Sequence, residues 1–237
     1  MKQTLDIEEI KSKLSQKLEP SGWSVKLRGF IYSNDFDQCI KDLAKLSQEG
    51  YRFTPTLAQM FRAFEECPVD KLKIVMVGQD PYPTIGVADG IAFSCSNTGK
   101  LQPSLKFILN EVNKTVYNGH PESLDPDLTR WANQGILLLN TALTTEVGKI
   151  GKHYEIWRTF ANYLFDYLNT SHTGLVYIYM GKQAHIWAED VSDNNYKFFL
   201  SHPASAVYQK FQSWDSKDVF NETNKIMQTL YNTKIIW

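Results

Sequence analysis

The 237-residue chain is short of cysteine, of net charge and of long apolar runs, and each shortage narrows what it can be. Its three cysteines, Cys39, Cys67 and Cys95, are odd in number and widely spaced. None stands in the close pairs of a zinc site, and the set is too small for the usual ligation of an iron–sulfur cluster. They read as reduced thiols, packed as small apolar residues in an intracellular protein. The formal net charge is −1, so whole-chain electrostatics neither announce nor exclude a nucleic-acid partner. Backbone N–H groups and hydroxyls can hold phosphates without a basic surface. No stretch approaches the roughly 18 apolar residues of a membrane span. The opening MKQTLDIEEIKSKL is charged and amphipathic, and it lacks the apolar core of a signal peptide. There is no internal repeat, low-complexity tract or linker, which argues for one domain over residues 1–237.

What is present is a globular composition: 43% apolar, 22% charged and a high 13% aromatic residues. Residues 1–70 form a mostly helical lead-in. A helix is expected over 5–18, with Ile7, Ile10, Leu14 and Leu18 on one face, broken by Glu19-Pro20-Ser21-Gly22. A second is expected from Asp35 to about Leu46. A third starts at Thr54-Pro55-Thr56 and carries Leu57, Met60, Phe61 and Phe64. Four strand patterns follow, the first two reading as buried: Lys73–Val77, Gly135–Asn140, Leu175–Met180 and Tyr196–Leu200. Gly90–Ser94 reads as a further short strand or extended piece. Helices separate these runs: Pro103 to Val116, Leu128 to Asn133, 153–169, a short one carrying Ala184, Ile186 and Trp187, and about Asp215 to Tyr231 with Val219, Ile226 and Leu230 on its stripe. His120 to Asp127 is a polar loop. Strand–helix alternation predicts an α/β fold, a three-layer α/β/α sandwich around a central four-stranded parallel sheet.

The strand ends carry the functional signal. The first run stops at Gly78 and turns into Gln79-Asp80-Pro81-Tyr82-Pro83, a loop stiffened by two prolines. The second ends in Asn140 and the fourth runs into His202. Parallel strands bring their carboxyl ends to one edge, where open α/β sheets bind ligands. The third ends at Gly181-Lys182, at a helix start that could hold a phosphate. Each residue also has a plainer reading. Asp80 could be a turn carboxylate, Asn140 a strand-end cap and His202 a structural histidine. Tyr82 and Phe93 could be packing, and Ser104 a helix cap.

The motifs themselves resemble family 1 uracil-DNA glycosylases. They are Gly78-Gln79-Asp80-Pro81-Tyr82-Pro83 with Asp89-Gly90-Ile91-Ala92-Phe93-Ser94, then Gln102-Pro103-Ser104-Leu105, Trp131 through Thr144, Gly181-Lys182 and His202-Pro203, in the family's order. The resemblance covers about residue 50 to Trp237. It implies hydrolysis of the N-glycosidic bond of deoxyuridine in DNA, with no metal and no cofactor, leaving an abasic site that starts base excision repair. It implies that Asp80 orients or activates water and stabilises the positive sugar, and that His202 hydrogen-bonds uracil O2 as negative charge develops. Gln79 contributes its backbone to the pocket, Tyr82 refuses a 5-methyl group, Phe93 stacks on uracil and Asn140 reads its polar edge. Ser104, Gly181, Lys182 and Ser205 grip phosphates. The implied partners are uracil-containing DNA, single- or double-stranded, and proteins that inhibit the family by mimicking DNA. The implied state is a monomer in the cytoplasm, or the nucleus if the source is eukaryotic or viral.

Two positions depart from the family pattern. Pro83 stands where most relatives have His, which removes a polar partner near Asp80. The His202 loop reads Pro203-Ala204-Ser205-Ala206-Val207-Tyr208 and lacks the family's wedging Leu, leaving Ala206, Val207 or Tyr208 to fill that space. A weak wedge predicts a preference for single-stranded or already open DNA. Two rival readings remain: a DNA-binding accessory protein without activity, and a glycosylase for another base. Base release separates the first, and a panel of damaged-base oligonucleotides separates the second.

Overall fold

The computed structural model describes residues 6–120, 124–208 and 213–237, with the backbone alone at 207 and 208. Asp6 opens helix α1 (Ile7–Leu18), its carboxylate accepting the Glu9 N–H at 3.0 Å. That bond satisfies a first-turn donor with no partner inside the helix. Residue 5 of the expected helix lies outside the described residues. Two short helices that the pattern did not suggest follow, α2 (Trp23–Lys26) and α3 (Arg28–Ile31). Ser33 then caps α4 (Asn34–Gln48), which buries Phe36, Cys39, Ile40 and Leu43.

The expected third helix is mostly absent. Phe53–Thr54 form a short strand, β1, paired antiparallel with Thr145–Glu146. Turns carry the chain to α5 (Arg62–Glu66), and Leu57 is exposed rather than packed. Pairing with a segment some ninety residues away overrode a local pattern of helical period. The predicted strand at Gly90–Ser94 is also absent: the segment is a succession of bends and turns.

The main sheet follows the expectation. Strand β2 (Ile74–Gly78) is flanked by β3 (Ile136–Asn140) and β5 (Val176–Met180), and β6 (Tyr196–Leu200) completes the order β3-β2-β5-β6. All three pairings are parallel, with Gly78 opposite Asn140 and Met180 opposite Leu200. Every residue of β2 and β5 is buried, as strands covered on both faces require. The covering helices include α6 (Pro103–Thr115), α7 (Thr129–Ala132) and α8 (Tyr154–Ser171). After β4 (Thr145–Glu146) and β5 come α9 (Lys182–His185), α10 (Ala204–Tyr208) and α11 (Val219–Tyr231). Helix α11 starts later than expected. It buries Val219, Phe220, Thr223 and Met227, whereas Leu230 is exposed. Ile186, after α9, is exposed too. The expected loop from His120 to Asp127 includes 121–123, which lie outside the described residues.

A single aromatic-rich core joins the lead-in helices to the sheet, with Trp23, Phe30, Phe36, Phe61, Phe64, Trp157 and Phe160 all buried. The three cysteines are buried free thiols. Burial pushes the Cys39 thiol up to about 11 and the Cys67 thiol up to about 12. Among the described residues, no helix is long and apolar enough to cross a membrane.

Candidate active site

Because the four strands are parallel, the loops after β2, β3 and β6 meet at one sheet edge and enclose a cavity of about 480 Å³. This lies within the range of small-molecule sites. Its lining includes Gln79, Asp80, Tyr82, Phe93, Ser104, Asn140, His202 and Ser205. Eight of the ten residues singled out in the sequence therefore share one cavity. Gly181 and Lys182 do not line it. Gly181 backs the site instead: a Cβ there would come within 2.9 Å of the His202 Cβ. Lys182 is exposed at the start of α9.

Gly78 sets the floor. A Cβ at this position would meet Asn140 Oδ1 at 2.8 Å and the Phe93 ring at 3.3 Å. The missing side chain is the space in which the amide and the ring come together. Asn140 is no strand-end cap, since its amide forms no hydrogen bond among the described residues. Its donor and acceptor groups remain for a ligand.

Phe93 is 8% exposed and has φ 66°, a left-handed conformation that a bulky side chain rarely adopts. Two neighbours hold it there. The Tyr82 hydroxyl donates to the Phe93 carbonyl at 2.8 Å. Asp89, 0% exposed, accepts from the Ile91 N–H at 3.1 Å, the Ser94 hydroxyl at 2.6 Å, and the Ser96 N–H and hydroxyl at 2.9 and 2.6 Å. Arg62 Nη1 lies 3.1 Å from Asp89 Oδ2 and balances the buried charge. Arg62 also donates to the Thr129 hydroxyl at 2.7 Å, tying the loop to α7. A strand cannot form where one side chain claims this many local donors.

Asp80 is not a local turn carboxylate. Its Oδ2 accepts the N–H of Gly151, from the loop between β4 and α8, at 2.7 Å. Burial pushes the Asp80 carboxyl above its ordinary value, opposed by the Gly151 N–H and by the Thr145 and Gln79 side chains. The Gln79 carbonyl accepts from the Ala142 N–H at 3.1 Å and the Thr141 hydroxyl at 3.0 Å, locking the loops after β2 and β3 together. The loop after β6 presents His202, whose ring lies 5.9 Å from that of Phe93. His202 Nδ1 accepts the Ala204 N–H at 3.1 Å, and burial lowers its pKa. A ring that accepts at Nδ1 and stays neutral carries its proton on Nε2.

Ser104 is buried in the second position of α6 and does not cap it, since Pro103 takes the first position and Gln102 precedes it. The Ser205 N–H donates to the His202 carbonyl at 2.8 Å. Ala206 is buried, so it does not fill the place of the missing Leu. The side chains of Val207 and Tyr208 lie outside the described residues. Arg62, Asp89, Thr145 and Gly151 were not singled out for the site. The only sequence signal was the presence of Asp89 at the head of its motif. Among the described residues, no three His, Cys, Asp or Glu side chains gather as a metal site.

Fold and cavity together define an α/β protein with a ligand site at the carboxyl edge of a parallel sheet. Residues 64–228 match the family model described as the uracil DNA glycosylase superfamily. The uracil-DNA glycosylase of Aliarcobacter butzleri is 34% identical over 184 residues, 77% of this chain and 85% of that protein. That of Acinetobacter baumannii strain SDF is 31% identical over 223 residues, 93% of each. The crystal structure of mimivirus uracil-DNA glycosylase superposes with a TM-score of 0.82 at 25% identity, covering 94% of this chain and 88% of that one. A variant of the mimivirus UNG in complex with UGI gives a TM-score of 0.78 at 25% identity, over 90% of this chain and 85% of that one. The chain belongs to the uracil-DNA glycosylase superfamily.

Proposed function

We infer that this protein removes uracil from DNA by hydrolysing the N-glycosidic bond of deoxyuridine, the first step of base excision repair. The observation that carries this reading is the meeting of Asp80, Asn140, Phe93 and a neutral His202 in one cavity. A base inside a duplex is out of reach, so the nucleotide is first extruded at a cost of a few kcal/mol. Uracil then stacks on Phe93. The Asn140 amide offers a donor and an acceptor to the polar edge of the base, which distinguishes uracil from cytosine. Tyr82, fixed through its hydroxyl, walls off the position of a 5-methyl group.

The C1′–N1 bond breaks with its electron pair leaving on the base. His202 Nε2–H donates to O2 as negative charge accumulates there, a contribution of about 3–4 kcal/mol for one such donor. The Asp80 carboxylate faces the sugar cation and orients the water whose oxygen bonds to C1′. The proton released passes by way of the carboxylate to solvent, and the uracil anion takes one from solvent. The raised pKa of Asp80 suits a group that accepts a proton in turnover. Ser104 and Ser205 line the cavity and are the phosphate contacts of this reading, with Lys182 further out. The complex of a mimivirus UNG variant with UGI supports expecting a protein inhibitor for this chain as well.

The test is release of free uracil from a uracil-containing oligonucleotide, with Asp80→Asn and His202→Ala as variants. Each should lose about two to three orders of magnitude in kcat. Unchanged turnover in both would sink the assignment. DNA binding without base release would favour an accessory role instead.

A further inference from the structure

The loop between β4 and α8 carries Ile150, which lines the cavity and is nevertheless 56% exposed. Exposed aliphatic side chains are ordinary on mobile loops. This loop is pinned at every step around the residue. The Gly148 N–H donates to the Pro83 carbonyl at 2.9 Å, and the Lys149 N–H to the Glu146 carbonyl at 3.0 Å. The Lys149 carbonyl accepts the Thr145 hydroxyl at 2.8 Å. The Gly151 N–H donates to Asp80 at 2.7 Å. The backbone on both sides of Ile150 is thus fixed to the loop that bears the carboxylate, while the side chain projects unpaired at the cavity mouth. Lys149 and Lys152 are both exposed beside it; the Lys149 ammonium pairs with Glu146 at 2.6 Å, whereas Lys152 has no ion pair among the described residues.

A nucleotide whose base occupies the cavity leaves its neighbours in the strand at that mouth. Apart from its bases DNA offers charged phosphates and polar sugars, so an apolar side chain held there has one matching surface, the exposed face of a base. We propose that Ile150 packs against the nucleobase adjacent to the extruded deoxyuridine, with Lys152 beside a phosphate of the same strand. The proposal rests on the glycosylase reading. It makes Ile150 a substrate-binding residue that acts on affinity and leaves the bond-breaking step alone.

The experiment measures kcat and KM for uracil release by wild type, Ile150→Ala and Ile150→Leu. The substrates are an oligonucleotide of ordinary sequence and two others in which a base-free tetrahydrofuran unit replaces the nucleotide on one side of the deoxyuridine or the other. Ile150→Ala should raise KM about ten-fold on the ordinary substrate at unchanged kcat. Ile150→Leu should stay near wild type. One base-free substrate should raise the KM of wild type by a similar factor and that of Ile150→Ala by none, because side chain and base are two halves of one contact. An unchanged KM in Ile150→Ala overturns the proposal. So does an equal response of both proteins to the missing base. Wild type that releases no uracil from any substrate removes the glycosylase reading and this proposal with it. Wild type that works while Ile150→Ala matches it removes this proposal alone. Ile150 is exposed, so its replacement should leave folding intact. Val25→Ala, at the exposed Val25 of α2, should leave every constant unchanged.

Discussion

At the scale of single residues, the cavity sets two ionisations against each other. The proposed mechanism needs Asp80 charged and His202 neutral. Burial raises the first above its ordinary 3.8 and lowers the second below its ordinary 6.5. The kcat/KM profile should therefore fall only on the acid side, with the Asp80 limb above pH 3.8 and the imidazole limb below pH 6.5. A pH–rate titration of wild type checks both bounds. The same shifts act on stability. The folded protein holds the Asp80 proton more tightly than the unfolded chain, so the carboxylate costs stability at neutral pH. That cost fades as pH falls through the folded value toward 3.8. Asp80→Asn should melt above wild type at pH 7, with the difference vanishing in acid, even as activity is lost. His202 runs the other way, contributing stability above pH 6.5 that is lost as pH falls below 6.5 through the lower folded value. Tyr82→Ala opens the wall of the cavity and frees the Phe93 carbonyl. It should gain thymine release from a thymine-containing oligonucleotide while losing uracil affinity. Asp80 and Asn140 were legible in the sequence because each ends a run of buried apolar residues, and His202 because it follows the aromatic-rich run of β6. Gly151 and Thr145 were not, because their roles come from β4 and the loop after it, which reach Asp80 only in the folded chain.

At the scale of elements, the segment from Asp89 to Ser96 is the lesson. Its sequence alternates well enough for a strand, yet Asp89 and Arg62 bend it into the turn that offers Phe93. Arg62→Ala leaves a buried carboxylate short of its cation and should cost about 3 kcal/mol in urea unfolding. It should also raise KM, because the Asp89 network that helps hold Phe93 at a positive φ then lacks its cation. Asp89→Asn should share both effects, and Phe93→Ala should abolish the KM part of each, which a double-mutant cycle measures. The helix expected from Thr54 failed for a related reason. Met60, Phe61 and Phe64 are buried while Leu57 is exposed, but the backbone pairs with Thr145–Glu146, and a partner so distant leaves no local trace. Strands β2, β3 and β5 were legible because burial on both faces writes a continuous apolar run, whereas β6 is an edge strand with Tyr196 and Phe199 exposed and shows only as a short aromatic-rich run.

At the scale of the whole molecule, the net charge of −1 limits how DNA is held. Among the described residues no lysine or arginine lines the cavity, so few counterions should be released on binding. The plot of log affinity against log salt should have a slope no steeper than about −3. Fluorescence anisotropy with a labelled oligonucleotide, titrated at several salt concentrations, measures it. The parallel order β3-β2-β5-β6 was legible as a class from strand–helix alternation. The order of the strands was not, since nothing local says which strands are neighbours. The three thiols sealed in the core have a practical consequence for spectroscopy. With Cys39 and Cys67 held near 11 and 12, and Cys95 shifted in the same direction, none offers an accessible thiolate at neutral pH. A cysteine introduced at an exposed loop position can then carry a dye or spin label in the otherwise natural sequence, and extrusion of a base can be followed in real time.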